Sequence, residues 1–176
     1  FYNIDGIKLV EHLNSIRDKN NSKRHFIEEE DEFGVIDSFD IDVRDTYMPD
    51  FEPVEMVKTK CEDKERITRN VKRTKDAIIR SNYKCNIDST HQSFIFKREK
   101  TYMEAHHLIP LSAQDNFSTG LDADANIVCL CPNCHRNLHY GKDINELLRK
   151  LYDLRVKELE ESEIFISYEE LLKLYE

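Results

Sequence analysis

The chain has 176 residues, 39% of them apolar, and a net charge of −9; that is enough for one ordinary domain, or for a small core domain with an appended segment. No run approaches the roughly eighteen apolar residues of a membrane-spanning helix, and the start lacks the basic and apolar stretches of a signal peptide, so no membrane is expected among the partners. The sequence begins at Phe1 rather than Met, which points to a piece of a longer chain with a further N-terminal domain.

The first expected element is an amphipathic helix over 4–16, where Ile4, Ile7, Val10, Leu13 and Ile16 recur at helical spacing. A polar stretch at 17–24 ends it, and Glu28-Glu29-Glu30-Asp31-Glu32 reads as linker. Phe39, Ile41 and Val43 alternate with Asp40, Asp42 and Arg44 as in a strand, and Pro49 and Pro53 interrupt the chain after it. A basic helix is expected over 67–81, with Ile67, Val71, Ala77, Ile78 and Ile79 as its apolar positions. Strands are expected over 101–106 and 126–130, separated by a loop at 110–125 rich in small polar residues. Pro132 can open a helix that Gly141 closes. A longer helix follows over 143–161, its apolar side formed by Ile144, Leu147, Leu148, Leu151, Leu154 and Leu159. Ser167-Tyr168-Glu169-Glu170 is a capping box that starts a last helix running to Leu174. The expected division is an acidic segment of unknown role at 1–65, a core with its basic lead-in helix at 66–142, and a helical extension packed on that core at 143–176.

The acidic balance argues against a nucleic-acid partner, because neutralising phosphate takes Lys and Arg. The distribution reverses that reading. Between residues 66 and 101 ten basic residues face three acids, whereas between 28 and 65 fifteen acids face four bases. The basic block, with Lys72, Arg73, Arg80 and Lys84, directly precedes the chain's most informative residues. The acidic block reads either as a solvated linker or as a cover over that basic face.

Those informative residues are Glu104-Ala105-His106-His107-Leu108-Ile109-Pro110 and Asn126-Ile127-Val128-Cys129-Leu130-Cys131-Pro132-Asn133-Cys134-His135-Arg136-Asn137-Leu138-His139. Cys131 and Cys134 have the Cys-x-x-Cys spacing with which a tight turn offers two thiolates to one tetrahedral ion. His135 and His139, four apart on a helix, share one face and can hold an ion together. His106 and His107 are neighbours on a strand and point to opposite sides, so their roles should differ. The five cysteines are an odd number, and four of them lie among the histidines, as metal ligands do in reducing compartments; a cytoplasmic location is expected. Cys129 reads as a buried small hydrophobe, and Cys61 is assigned no role.

The joint pattern, from about Lys84 to Gly141, resembles the HNH nucleases, and more closely the zinc-containing nuclease domain of bacterial, McrA-like restriction enzymes. The resemblance implies an α+β fold, a ββα-metal (His-Me finger) core stabilised by a structural zinc and flanked by helices. In the family's commonest form a second Cys-x-x-Cys supplies two ligands upstream. Here Cys85 is followed at that spacing by Asp88, and His91 is the next candidate. Cys85, His91, Cys131 and Cys134 are the favoured quartet, because one imidazole with three thiolates is a common structural zinc set, with Asp88 the alternative to His91.

The same resemblance implies that His106, His135 and His139 hold a catalytic divalent ion (Mg²⁺, Mn²⁺, Ni²⁺ or Zn²⁺), that His107 is the general base, and that Asn126 ties down the hairpin loop and so holds the base in place. Glu104 falls where related nucleases carry a carboxylate behind a ligand, and reads equally well as an outward-facing strand residue. Arg136 could contact a phosphate or simply face solvent. The expected function is a metal-dependent endonuclease that hydrolyses double-stranded DNA in restriction or phage defence, assisted by a target-recognition domain or partner protein. A homodimer would supply two active sites. A homing or mobile-element endonuclease and a non-catalytic, zinc-dependent DNA-binding module are the alternatives.

Overall fold

The computed structural model describes residues 48–56, 58–61, 64–67, 69–96 and 99–176. The helix expected over 4–16, the strand around Phe39 to Val43 and most of the acidic block lie outside the described residues. Three two-stranded antiparallel hairpins and four α-helices make up the regular structure among those described.

Strand β1, Lys58–Cys61, pairs with β2, Lys64–Ile67. This hairpin crosses the division expected between 65 and 66, so that boundary does not fall between elements. Helix α1 is Val71–Arg80 and is shorter than the expected 67–81, because Asn70 accepts the backbone N–H of Lys72 and caps the helix there, while Ile67 ends a strand. Asn82 and Tyr83 then take positive φ angles of 50° and 55° and turn the chain toward Cys85.

The strand expected over 101–106 is two elements. Lys100–Thr101 (β4) pairs with Ile95–Phe96 (β3) in a small hairpin of its own, and Glu104–His107 (β5) pairs with Ile127–Leu130 (β6). In that second hairpin Glu104 faces Leu130, Ala105 faces Cys129, His106 faces Val128 and His107 faces Ile127. Asn126 itself belongs to a 3-10 turn, Asp124–Asn126, that delivers the chain into β6. The loop between β5 and β6 also holds a 3-10 helix, Leu111–Asn116.

Helix α2, Pro132–Tyr140, completes the ββα unit, and α1 packs across β5 and β6. Pro132 opens α2 and Gly141 caps it as the sequence suggests. The reason for glycine is space rather than handedness. Its φ is −67°, but a Cβ would lie 1.9 Å from Asn137 Oδ1 and 2.4 Å from Asn137 O.

Helix α3, Asn145–Glu161, packs on α2 and on the 3-10 turn before β6. Leu148, Leu151 and Leu159 enter the core with Leu108, Ile109, Leu121, Ile127 and Leu130. Leu154, expected on the apolar side, is 47% exposed, and Arg155 is buried next to it. Arg155 reaches the carbonyl of Ile127 at 3.3 Å and pairs with Glu158. Arg80 approaches the same carbonyl from α1 at 3.4 Å. The hairpin's carbonyl edge needs donors there, which an aliphatic side chain could not provide.

Helix α4, Tyr168–Lys173, carries the expected capping box, with Ser167 and Glu170 bonding each other's backbone N–H; Leu174 is its cap rather than its last turn. Residues 48–56 are fastened to the core: Asp50 N donates to Asp124, Gly120 N to the Val54 carbonyl, and Ser162 Oγ to the Phe51 carbonyl. This part of the acidic block is therefore packed chain, not solvated linker.

Candidate active site and metal clusters

Two groups of ligand side chains converge among the described residues, each with members from α2 or its N-cap. Cys85, His91, Cys131 and Cys134 place their ligand atoms within 4.8 Å of one another. His91 Nδ1 lies 3.2 Å from Cys134 Sγ and 3.8 Å from Cys131 Sγ. Asp88 is engaged elsewhere, its Oδ1 accepting the N–H and the hydroxyl of Thr90 at 2.8 and 2.7 Å. The Cys85 turn is pinned to β6 by Asn86, whose N–H donates to the Cys129 carbonyl while its Oδ1 accepts the Cys129 N–H.

Burial by itself would raise the Cys85 thiol, but backbone N–H groups of Cys131, Asp88 and Ile87, together with His91, outweigh it and hold the thiol below its ordinary value. Burial and the adjacent Cys85 and Cys131 push Cys134 up instead. Three crowded thiols cannot all ionise unless a cation neutralises them, and one imidazole with three thiolates suits Zn²⁺. The residues fit a structural zinc. Cys129 is fully buried and its thiol is pushed up to about 12 by burial, consistent with an apolar role beside the quartet.

The second group is His106 from β5 with His135 and His139 from α2. His135 Nε2 and His139 Nε2 are 3.1 Å apart. Glu104 is buried behind them, not outward-facing: its Oε2 takes a hydrogen bond from His135 Nδ1 at 2.5 Å, and Tyr102 donates to its other oxygen. Burial would raise the Glu104 carboxyl, but His135 outweighs this and holds it low. An ionised carboxylate only accepts, so His135 carries its proton on Nδ1 and presents the Nε2 lone pair to His139. His135 and His139 could both serve as ligands of one cation.

His106 is fastened by a residue near the far end of the sequence. Tyr175 donates its hydroxyl to the Leu108 carbonyl at 2.8 Å, and that hydroxyl lies 2.9 Å from His106 Nε2. Burial, followed by the neighbouring His135, His139 and His107, holds the His106 imidazole well below its ordinary value, so it stays neutral and able to ligate. The donor chemistry of the three imidazoles fits a divalent transition metal.

His107 points away from this cluster, as neighbours on a strand must. Its Nε2 lies 2.9 Å from Asp122 Oδ1. Asn126 is fully buried and ties the β5–β6 loop together: Oδ1 accepts the Ile109 N–H, and Nδ2 donates to the carbonyls of Ile109 and Leu121. The expected phosphate-contacting cations divide into two groups. Arg73 is paired with buried Asp124 at 3.2 Å and Arg80 donates to the Asp124 carbonyl, both half-buried, whereas Lys72, which lies 3.9 Å from Asp76 Oδ2, Lys84 and Arg136 have exposed side chains.

Sequence reasoning missed Asp122 and Tyr175 and left Glu104 open. Asp122 sits in the run Leu121-Asp122-Ala123-Asp124-Ala125, where nothing separates it from Asp124, and Tyr175 lies 69 residues from its partner.

Residues 85–141 match the HNH endonuclease family model, so the chain carries an HNH endonuclease domain. Among individual proteins it is similar to the type IV methyl-directed restriction enzyme EcoKMcrA of Escherichia coli (strain K12), 44% identical over 68 residues. That match covers 39% of this chain and 23% of the relative, so the chain spans about a quarter of that enzyme. Among solved structures it is similar to the type IV phosphorothioation-dependent restriction endonuclease ScoMcrA, at 23% identity and a TM-score of 0.42, over 53% of this chain and 17% of that one.

Proposed function

We propose that the chain is the nuclease part of a restriction enzyme that hydrolyses phosphodiester bonds of double-stranded DNA, with His107 accepting the proton of the attacking water. The observation that carries this reading is the convergence of His106, His135 and His139 at one side of the ββα unit, with His107 next in the chain and turned to the other side. The likeness to a methyl-directed restriction enzyme of E. coli supports the restriction role.

In this reading His106, His135 and His139 would hold the catalytic cation, and Glu104 and Tyr175 would keep two of those rings in place. A divalent cation bound there supplies charge neutralisation for the phosphate and the leaving oxygen. His107, a histidine on a short and well-braced strand, would take the proton of the attacking water. Asn126 keeps the loop after the base from moving. Cys85, His91, Cys131 and Cys134 would hold zinc and set the start of α2, on which His135 and His139 stand. Exposed Lys72, Lys84 and Arg136 would meet the DNA backbone. The reduced thiols such a site requires suit the cytoplasm. In this reading the chain comprises a preceding segment, a core at 66–142 and a helical extension at 143–176 packed on it, with residues 48–56 fastened to that core.

The test is nicking of supercoiled plasmid, with and without cytosine methylation, by protein that keeps zinc at the thiol cluster and is given Mg²⁺, Mn²⁺, Ni²⁺ or no added ion. Cutting that requires one of these ions supports the reading, and a preference for methylated plasmid would assign the restriction subtype. Plasmid binding without cutting under all conditions would contradict it.

A further inference from the structure

We propose that Asp122 is the positioning residue of the base, fixing His107 in the tautomer whose Nδ1 is open to accept the proton of water. This inference rests on the nuclease reading of the site and goes beyond it by naming the accepting nitrogen and the group that selects it.

The geometry is specific. Asp122 is 8% exposed and its two oxygens have different partners. Oδ1 lies 2.9 Å from His107 Nε2, and Oδ2 accepts the backbone N–H of Asn70 at 2.5 Å. Burial would raise this carboxyl, but the His107 and Asn70 bonds outweigh it, so it is an acceptor on both sides. His107 must then place its proton on Nε2, which leaves the lone pair on Nδ1. Asn70 also caps α1 through its side chain, so the base is tied to the first turn of the basic helix.

The backbone N–H makes the arrangement one-way, because it can only donate. In an Asp122→Asn variant the amide oxygen must stay on Asn70, which turns the new NH₂ toward His107 Nε2. That nitrogen becomes the acceptor and the proton moves to Nδ1, where it blocks the attacking water. The shape is kept and the tautomer is wrong. Asp122→Ala acts differently. It removes the partner of Asn70 N–H and so costs more stability, yet His107 remains able to adopt either tautomer.

The full chain, loaded with metal, is compared as wild type, Asp122→Asn, Asp122→Ala and His107→Ala. The readouts are plasmid-nicking turnover at saturating DNA, DNA affinity, melting temperature and ring ¹⁵N shifts of His107. Asp122→Asn is expected to lower turnover roughly 10²- to 10⁴-fold with DNA affinity within about twofold of wild type, and to move the His107 proton from Nε2 to Nδ1. Asp122→Ala is expected to lose less turnover than Asp122→Asn and more melting temperature, a crossing of orders that a merely structural role does not produce. Turnover of Asp122→Asn within threefold of wild type, or losses in both variants that follow melting temperature, overturns the inference. Wild-type cutting by His107→Ala would instead overturn the assignment of His107 as base, and this inference with it, while absence of cutting by the wild type would sink the nuclease reading.

Discussion

Asn126 shows how much one side chain can hold from a fully buried position, since three hydrogen bonds to Ile109 and Leu121 leave it no alternative partner. Asn126→Ala leaves a buried N–H and two carbonyls unpaired and is expected to destabilise the protein by about 3 kcal/mol or more, measured by urea unfolding. Tyr175→Phe removes one hydroxyl from His106 and from the Leu108 carbonyl. It is expected to weaken divalent-metal binding at the histidine cluster roughly 10- to 100-fold with the melting temperature little changed, read by calorimetric titration. An unchanged affinity would remove Tyr175 from the site. At this scale the sequence reveals residues whose partners are set by local geometry. Cys131 with Cys134 and His135 with His139 are visible as spacings on one turn and one helix, and His106 and His107 as strand neighbours. Asp122, Glu104 and Tyr175 find their partners only through the fold, at separations of 15, 31 and 69 residues.

Elements differ in how far their own residues determine them. The capping box at Ser167 is a local code and forms as read, whereas the strand expected over 101–106 divides because the N–H of Tyr102 bonds to the Phe94 carbonyl and draws residues 100–101 to a different partner. Helix α3 reads correctly as amphipathic but buries Arg155 in place of Leu154, since what lies beneath it is the carbonyl edge of β6 rather than an apolar surface. Ser167→Ala is expected to cost about 0.5–2 kcal/mol, seen as a lower melting temperature. Its pH dependence has a definite sign. Backbone and hydroxyl bonds from Ser167 hold the Glu170 carboxyl below its ordinary value of 4.5. A depressed carboxyl stabilises above its unfolded value and loses that contribution as pH falls through its folded one. Ser167→Ala keeps the backbone bond to Glu170 and loses the hydroxyl's bond, so only the hydroxyl's share of the wild-type advantage should be present at pH 6 and shrink below about pH 4.5; a wild-type advantage that grows as pH falls to 3 would contradict the capping account.

The molecule as a whole sets two ligand clusters at opposite duties around one short helix, the thiols at its start and the imidazoles along its length. A ββα unit of this size buries little apolar surface of its own, so metal at the thiol cluster is expected to contribute folding free energy, about 10 kcal/mol in small zinc peptides. Cys131→Ser should accordingly lower the melting temperature and release zinc, while His139→Ala, at a half-buried ligand position, should cost much less melting temperature and abolish cutting; parallel losses in both would argue against the division of labour. The central claim is that His107 activates the water that attacks a phosphate held at that second cluster. The most direct measurement is the nicking rate of supercoiled plasmid by metal-loaded His107→Ala at saturating DNA. The account predicts a rate at least about 10²-fold below wild type in a variant that still folds and still binds plasmid, and nicking at the wild-type rate would contradict it.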